Sequence, residues 1–148
     1  MMHKRFYASG FLFNLPSQQI LLQQTTPISP TSSSPWQLFS APYSENEEPN
    51  EAFKKLIFDL LGIKIENIQP IYSYIDDNTK VQQTIMYGEL ETLHDFPAKD
   101  GLTFAWFSFK DVLKLQAAKQ IKHDIVVGQR VIDAIRRKAE GQHTSEHL

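Results

Sequence analysis

The residues best suited to chemistry lie just before and within one predicted helix. An acidic run lies before this helix and extends into its first turn. It consists of Glu45, Glu47, Glu48 and Glu51. A further acid, Asp59, lies near its end. Mg²⁺ takes oxygen ligands and is usually held by one or two carboxylates together with substrate phosphates. Acids near a helix N-terminus also stabilise its dipole, which is the simpler interpretation of the run. The pattern therefore predicts either charge stabilisation of the helix or a metal site that includes Glu47.

The helix that would position these acids is predicted from Pro49 to Leu61. Proline suits the first helical position, and Gly62 suits the left-handed residue just past a helix C-terminus. Apolar residues recur at helical spacing and predict one broad buried face, made by Ala52, Phe53, Leu56, Ile57, Leu60 and Leu61. The other sides are predicted to carry Lys54, Lys55, Phe58 and Asp59.

Residues 41–63 resemble the Nudix box, G-x5-E-x7-R-E-U-x-E-E-x-G-U, in which U is a bulky aliphatic residue. Four positions match this pattern, namely Glu47, Ile57, Gly62 and Ile63, and Asp59 conservatively replaces a glutamate. The departures are Ala41 for the first glycine, Lys55 for the arginine, and Leu56 and Leu60 for two glutamates. An aliphatic side chain can neither bind a metal nor accept a proton.

The resemblance implies an α/β fold, the Nudix-like α/β/α sandwich with a mixed β-sheet between helices. It implies a single Nudix-like domain over residues 1–140. The polar composition of 141–148 predicts a frayed C-terminal tail. It also implies Mg²⁺ as a cofactor, with Glu47 and Asp59 as metal ligands and Glu47, Lys55 and Asp59 as ligand-binding residues. Because two glutamates are missing, we expect this Mg²⁺ site to be weak and assign no catalytic residue.

Residues 103–115 resemble the Nudix family in a second place, where a strand with a tryptophan leads into a short helix. Ser108 and Asp111 predict a capping-box-like start to that helix. Trp106 and Phe107 are predicted to be core and sheet-face residues rather than a base-stacking site.

The other elements follow from periodicity and turn residues. Strands are predicted at 6–13 and 19–24, which form a hairpin, near Trp36 and Phe39, and at 63–74, 81–90 and 104–109. Residues 25–35 predict an exposed loop, although its serines could contact phosphate. The loop at 91–101 is of a kind that supplies a further acid in many Nudix enzymes. A closing helix is predicted from Lys122 to about Lys138, with His123 and Asp124 as an N-cap region or, less favoured, a substrate contact.

Composition excludes several classes of site. The chain has 148 residues, 41% of them hydrophobic, which is typical of one globular domain. A formal net charge of −2 provides no overall attraction to phosphate backbones, so nucleic acid is not the expected partner. The chain contains no cysteine, and the five histidines form no ligand pair. No signal peptide or membrane span is predicted, and we expect a cytoplasmic protein.

Three functions remain open from the sequence. The first is a domain that binds a nucleotide-like small molecule or a protein partner with little or no hydrolysis, because Leu56 and Leu60 replace metal-binding glutamates. The second is an active Mg²⁺-dependent Nudix hydrolase of a nucleoside diphosphate linked to another moiety. The third is an RNA-binding or scaffolding subunit. The sequence leaves open whether the protein is an enzyme and whether it forms a homodimer.

Overall fold

A computed structural model describes the backbone of residues 5–27, 29 and 33–145, and the side chains of these residues through 141. Its elements in chain order are β1 (Arg5–Asn14), β2 (Gln19–Thr25), β3 (Trp36–Gln37), β4 (Phe39–Tyr43), α1 (Pro49–Leu61), β5 (Ile68–Ile75), β6 (Val81–Glu89), β7 (Leu102–Ser108), α2 (Phe109–Val112) and α3 (Lys119–Ser145). The predicted helix between the first strands and the later strands, and the two helices that follow the last strand, are confirmed.

The sheet is mixed and has β1 at its centre. One edge of β1 pairs in parallel with β6 along nearly its whole length, and β5 continues antiparallel beyond β6. The other edge of β1 is shared, because residues 12–14 pair with β2 while residues 6–10 pair with β4. β2 also pairs with two further strands. The edge of β2 that faces β1 continues into pairing with β3, and the opposite edge pairs with β7. We call the point where β2 and β4 separate along β1 the fork.

Helices cover both faces of this sheet, as the Nudix resemblance implied. Successive side chains of β1 point to opposite faces of the sheet, so Leu12 faces the α1 side while Phe11 and Phe13 face the α3 side. The α1-side cluster includes Phe53 and Ile57 from the helix, both 0% exposed. The α3-side cluster includes Ile125 and Ile132. The predicted α/β/α sandwich is confirmed.

Both predicted ends of α1 are confirmed. The helix begins at Pro49 and ends at Leu61, and Gly62 follows with φ 71°. The Gly62 N–H donates to the Phe58 carbonyl at 2.8 Å, which closes the last turn. The predicted cap of α2 is also confirmed, because Ser108 Oγ accepts the Asp111 N–H at 3.1 Å.

Element ends elsewhere differ from the prediction. β5 begins at Ile68, five residues later than the predicted strand, which began at Ile63. Residues 39–43 form β4, so the strand predicted near Trp36 and Phe39 continues to Tyr43. Among the described residues of the predicted 25–35 loop, only Thr25 lies in an element; residues 28 and 30–32 lie outside the described part.

α3 is longer at both ends than the predicted helix over 122–138. The preceding residues Ala117 and Ala118 favour helix, and the Lys122 N–H donates to the Ala118 carbonyl at 3.1 Å. At the other end no proline stops the helix, which continues through Ser145. The tail predicted to be frayed from 141 is therefore helical to Ser145, and 146–148 lie outside the described residues.

Candidate functional site

The α1 face that resembles the Nudix box is largely packed against the core. Leu56 and Leu60 are partly buried against the α1-side cluster, beside the fully buried Phe53 and Ile57. Asp59 lies between the two leucines in sequence and is exposed. The Lys99 ammonium donates to the backbone carbonyl of Asp59, which fastens the 91–101 loop to the end of α1. The face therefore presents one free-standing carboxylate rather than an acid cluster.

Glu47 lies in the turn before α1 and bonds to its own turn. Its Oε1 accepts the Ser44 N–H at 3.2 Å and the Ser44 hydroxyl at 2.9 Å. Glu47 lines a shallow cleft of about 470 Å³ with Arg5, Tyr43 and their neighbours. Part of its capacity to accept bonds is therefore already used within the turn.

Lys55 lines a different cleft, on the outer side of α1. This cleft, of about 380 Å³, also contains Lys54, Phe58 and Lys64. Asp59 lines neither this cleft nor the one beside Glu47. The structure thus does not gather the three residues predicted from the box, Glu47, Lys55 and Asp59, around one cavity.

These residues do not fit a strong magnesium site. Across the described part of the chain, no three His, Asp or Glu side chains approach closely enough to hold one metal ion together. In the 91–101 loop region, Glu89 accepts a bond from Asn67 Nδ2 at 2.8 Å, and Asp95 is exposed. The other carboxylate of α1, Glu51, lies in the first turn and pairs with Lys54 at 3.5 Å, so an ion at the end of the helix would have Asp59 alone from α1.

A second cavity lies at the fork, and we call it the fork pocket. It has a volume of about 340 Å³ and is lined mainly by polar side chains, together with Leu38, Ile85 and Ile121. The polar lining consists of Ser9, Gln23, Gln37, Ser40, Tyr74, Asp76, Gln83, Gln120 and Asp124. It lies on the α3 side, because Leu38 and Ile85 belong to the α3-side cluster.

Asp124 is the buried carboxylate of the fork pocket and is only 2% exposed. It accepts hydrogen bonds from the hydroxyls of Tyr72 and Tyr74, the latter at 3.3 Å, and from Gln120 Nε2 at 2.9 Å. The predicted N-cap role of His123 and Asp124 is wrong, because α3 begins at Lys119 and Asp124 lies within the helix.

The two tyrosine hydroxyls stay protonated around neutral pH. Burial away from water, together with the neighbouring Asp124 carboxylate, raises the pKa of both Tyr72 and Tyr74 well above the usual range. Each hydroxyl therefore donates its proton to Asp124 and holds the carboxylate in place.

The Gln23 side chain lies at the fork, and only one end of its amide makes a hydrogen bond. Its Nε2 donates to the Leu38 carbonyl at 3.0 Å, between β3 and β4. Its Oε1 is buried and has no partner among the described residues. On the opposite wall, the Ser9 hydroxyl donates to Gln83 Oε1 at 2.8 Å and lies 2.8 Å from Ser40 Oγ. A buried acceptor without a donor is uncommon in proteins.

Sequence analysis missed most of this pocket. It considered Asp124 as a substrate contact but preferred the cap, and it did not single out Gln23, Ser9 or Gln83. A signal was present, because Ser9 and Gln83 interrupt strands whose other α3-side residues, such as Phe11 and Ile85, are apolar. Inward polar residues in two neighbouring strands indicate a polar cavity between sheet and helix.

The positions of the aromatic residues of β7 agree with the prediction. Trp106 packs against the α1-side cluster and its Nε1 donates to the His94 carbonyl at 2.6 Å. Phe107 packs against the α3-side cluster, next to Trp36. No helix in the described part of the chain is long and apolar enough to cross a membrane.

No protein-family model matches the chain, and no curated protein sequence matches it. Solved structures do match. A mutT/nudix family protein from Listeria innocua superposes with a TM-score of 0.67 at 14% identity, over 93% of this chain and 98% of that protein. The NUDIX domain of Shewanella oneidensis NrtR, solved with ADP ribose, gives 0.67 at 12% identity, over 89% and 90%. The C-terminal domain of mouse MUTYH, solved with human PCNA, gives 0.66 at 12% identity, over 88% and 91%.

These similarities extend over most of each protein, and at such low identity they establish the fold. The resemblance found in residues 41–63 and 103–115 is thereby confirmed for the architecture, and this chain has the Nudix fold.

Proposed function

We propose that this chain is a Nudix-fold binding module, which holds a nucleotide-like ligand with little or no hydrolysis of a diphosphate. The observation that carries the proposal is the position of Leu56 and Leu60. Both are packed against the α1-side cluster, where oxygen donors would be needed. A charged phosphate or metal ion gains nothing from an aliphatic side chain.

Diphosphate hydrolysis assisted by Mg²⁺ needs an ion that orients and activates water. Asp59 could touch an ion brought in with a nucleotide, but a single exposed carboxylate holds Mg²⁺ weakly. Glu47 is already bonded to the Ser44 N–H and hydroxyl. Mg²⁺ is therefore at most a weak ligand in the proposed function, and no step of chemistry is assigned to it.

A small-molecule ligand is favoured over a protein partner by the fork pocket. Its volume of about 340 Å³ falls within the range of small-molecule sites, ~300–1,000 Å³. Two of the solved Nudix-fold domains were obtained as complexes, one with ADP ribose and one with the protein PCNA. The fold itself thus accommodates both kinds of partner, while the buried polar groups of this chain favour the first.

The test combines a turnover assay with a binding assay. Phosphate release would be measured with Mg²⁺ and with Mn²⁺ on ADP-ribose, dinucleoside polyphosphates and deoxynucleoside triphosphates. We expect no release above background, together with a rise in melting temperature when one of these ligands is added without metal. Robust turnover that disappears in Asp59→Asn would refute the proposal.

An active hydrolase is the second candidate, and the exposed Asp59 on the box helix is the observation that favours it. It predicts saturable Mn²⁺ binding close to Asp59, measurable as paramagnetic broadening of amide signals from the end of α1. Broadening that is identical in wild type and Asp59→Asn would exclude this candidate.

A further inference from the structure

We propose that the C-terminal turns of α3 form a docking surface for a protein helix that carries one apolar stripe with acidic side chains on both sides of it. The surface consists of residues 134–141, which we call the overhang, and the turn between β1 and β2. Neither part lines the fork pocket, so the inference does not depend on the proposed function. Three observations carry it: the exposure of the overhang, the apolar stripe that continues along it, and the positive charges beside that stripe.

The overhang is the part of α3 that extends past the sheet. Ile132 is the last buried residue of the described part of the helix and is 2% exposed. Every residue from 134 to 141 is exposed. This range makes about two helical turns, so it includes all sides of the helix, and none of them packs into the core. Residues of high helix propensity, such as Ala134 and Ala139, hold these turns, so a partner meets a surface that is already ordered.

The apolar stripe that fastens α3 to the sheet continues onto the overhang. Its buried part consists of Ile125, Gly128 and Ile132. The same alternation of three and four residues leads next to Ile135 and Ala139. These two side chains therefore face the same way as the buried ones, yet Ile135 is 42% exposed. An amphipathic partner helix laid against the stripe would cover it.

The turn between β1 and β2 lies beside the start of the overhang and adds a second apolar side chain. Arg136 Nη1 donates to Gln18 Oε1 at 2.9 Å, and Gln18 Nε2 donates to the Leu15 carbonyl at 2.7 Å. Leu15 is 47% exposed. Leu15 and Ile135 thus provide two uncovered large apolar side chains at one end of the domain, which a partner's apolar stripe could contact together.

Positive charge flanks the stripe on both sides. With about 100° between successive residues of a helix, Arg136 falls on one side of the line through Ile135 and Ala139, and Lys138 falls on the other. Both cationic side chains are exposed. A partner helix with acids on each side of its own apolar stripe would bring opposite charges together along both flanks.

The combination of charge and apolar contact selects this partner over others. The overhang carries Arg136, Arg137 and Lys138 against one acid, Glu140. Two overhangs from two copies of the chain would therefore bring like charges together, which opposes self-association there. A nucleic-acid backbone would match the cations but would leave Ile135 uncovered. An acidic amphipathic helix satisfies both requirements.

The first experiment uses the full chain and synthetic peptides of about three heptads. The acidic peptide has leucines at helical spacing with glutamates on both sides of the stripe. The basic peptide has lysine in place of each glutamate, and the scattered peptide has the acidic composition without a stripe. Fluorescence anisotropy should show the acidic peptide binding at least about tenfold tighter than either of the others. Equal affinity within either comparison, or no binding of the acidic peptide, would overturn the inference.

A single substitution locates the apolar contact. Ile135→Gln removes the large apolar side chain of the overhang, and we expect it to lower affinity for the acidic peptide about tenfold. Ile75→Gln is the matched control, because Ile75 is similarly exposed, at 48%, but lies in β5. The control should bind as wild type does. Undiminished affinity in Ile135→Gln, or an equal loss in the control, would contradict the proposed surface.

A charge reversal locates the polar contact. Arg136→Glu combined with Lys138→Glu should switch the preference of the chain from the acidic to the basic peptide. Lys114→Glu combined with Lys119→Glu is the control of equal net charge, because both lysines are exposed and lie before or at the start of α3. This control should keep the preference for the acidic peptide. A preference that survives the first reversal, or that the control also switches, would overturn the inference.

The other possible occupants of this surface give different results. A dimer of the wild-type chain in sedimentation, dissociated by Ile135→Gln, would assign the surface to a second copy. Binding to phosphatidylserine vesicles or to single-stranded RNA, lost in the same variant, would assign it to a membrane or a nucleic acid. Each of these outcomes would overturn the inference, and we expect none of them.

Discussion

Replacing Gly128 with alanine tests how closely α3 approaches the sheet beside the fork pocket. A Cβ at this position would lie 2.9 Å from Ile71 Cδ1 and 2.9 Å from two ring atoms of Phe11. Carbon atoms in favourable contact are about 3.5–4.0 Å apart, so roughly 0.6 Å must be relieved. The end of Ile71 can turn away. Phe11 cannot, because it is fully buried and stacked on Tyr87, with ring centroids 5.8 Å apart.

Two opposing terms set the size of the effect. Alanine is favoured over glycine inside a helix by about 1 kcal/mol. Overpacking a buried site costs about 1–3 kcal/mol. We therefore expect Gly128→Ala to lower the free energy of unfolding by about 1 kcal/mol, which corresponds to a fall in melting temperature of about 2–4 °C.

Gly141→Ala is the matched control in the same helix. No heavy atom lies within 4 Å of a Cβ built at Gly141, so this variant gains helix propensity without overpacking. We expect it to raise the free energy of unfolding by up to about 1 kcal/mol. The difference between the two variants then isolates the packing term at Gly128.

The measurement is equilibrium unfolding in urea followed by tryptophan fluorescence, with the slopes compared to exclude a change in the unfolded state. Equal stabilisation by both alanines would refute the close approach of α3.

Three further predictions concern single contacts. Gly10→Ala places a Cβ 1.9 Å from the Met86 carbonyl oxygen in the central parallel pair, so we expect the free energy of unfolding to fall by about 3 kcal/mol or more, or soluble protein to be lost on expression. Burial raises the pKa of Tyr87 to about 12, so stability should be complete below pH ~10 and decline as pH rises towards 12; a thermal melt series should be flatter in Tyr87→Phe. Ser108→Ala removes the acceptor of the Asp111 N–H and should cost about 1 kcal/mol in urea unfolding, whereas Ser108→Asp should retain most of the stability.

Local signals predicted the elements whose ends depend on nearby residues. Pro49 and Gly62 bound α1 because each restricts or permits particular backbone angles, whatever the rest of the chain does. The first hairpin follows from two apolar runs joined by Asn14, Pro16 and Ser17, a turn-forming segment. Such features can be read from a few consecutive residues, and their prediction was accurate.

These local signals could not predict contacts between residues that are far apart in the chain. Asp124 was assigned to a helix cap because a short polar residue before an apolar run is typical of one. Its observed role depends on Tyr72 and Tyr74, about 50 residues away in the chain. The orientation of Gln23 likewise depends on a hydrogen bond to the Leu38 carbonyl, which lies 15 residues away in the chain. Register between strands decides these contacts, and periodicity alone does not specify register.

The two candidate regions lie on opposite faces of the sheet. The fork pocket lies on the α3 side and is lined by Asp124 and Gln23, among others. Leu56 and Leu60 lie on the α1 side, packed against its core. Replacing both leucines with glutamate would remove two partly buried apolar side chains from that packing, each at a cost below the ~1.5–3 kcal/mol of a fully buried side chain. Such a variant would acquire oxygen donors only by giving up part of the packing that holds α1 on the sheet, whereas the lining of the fork pocket contains neither leucine.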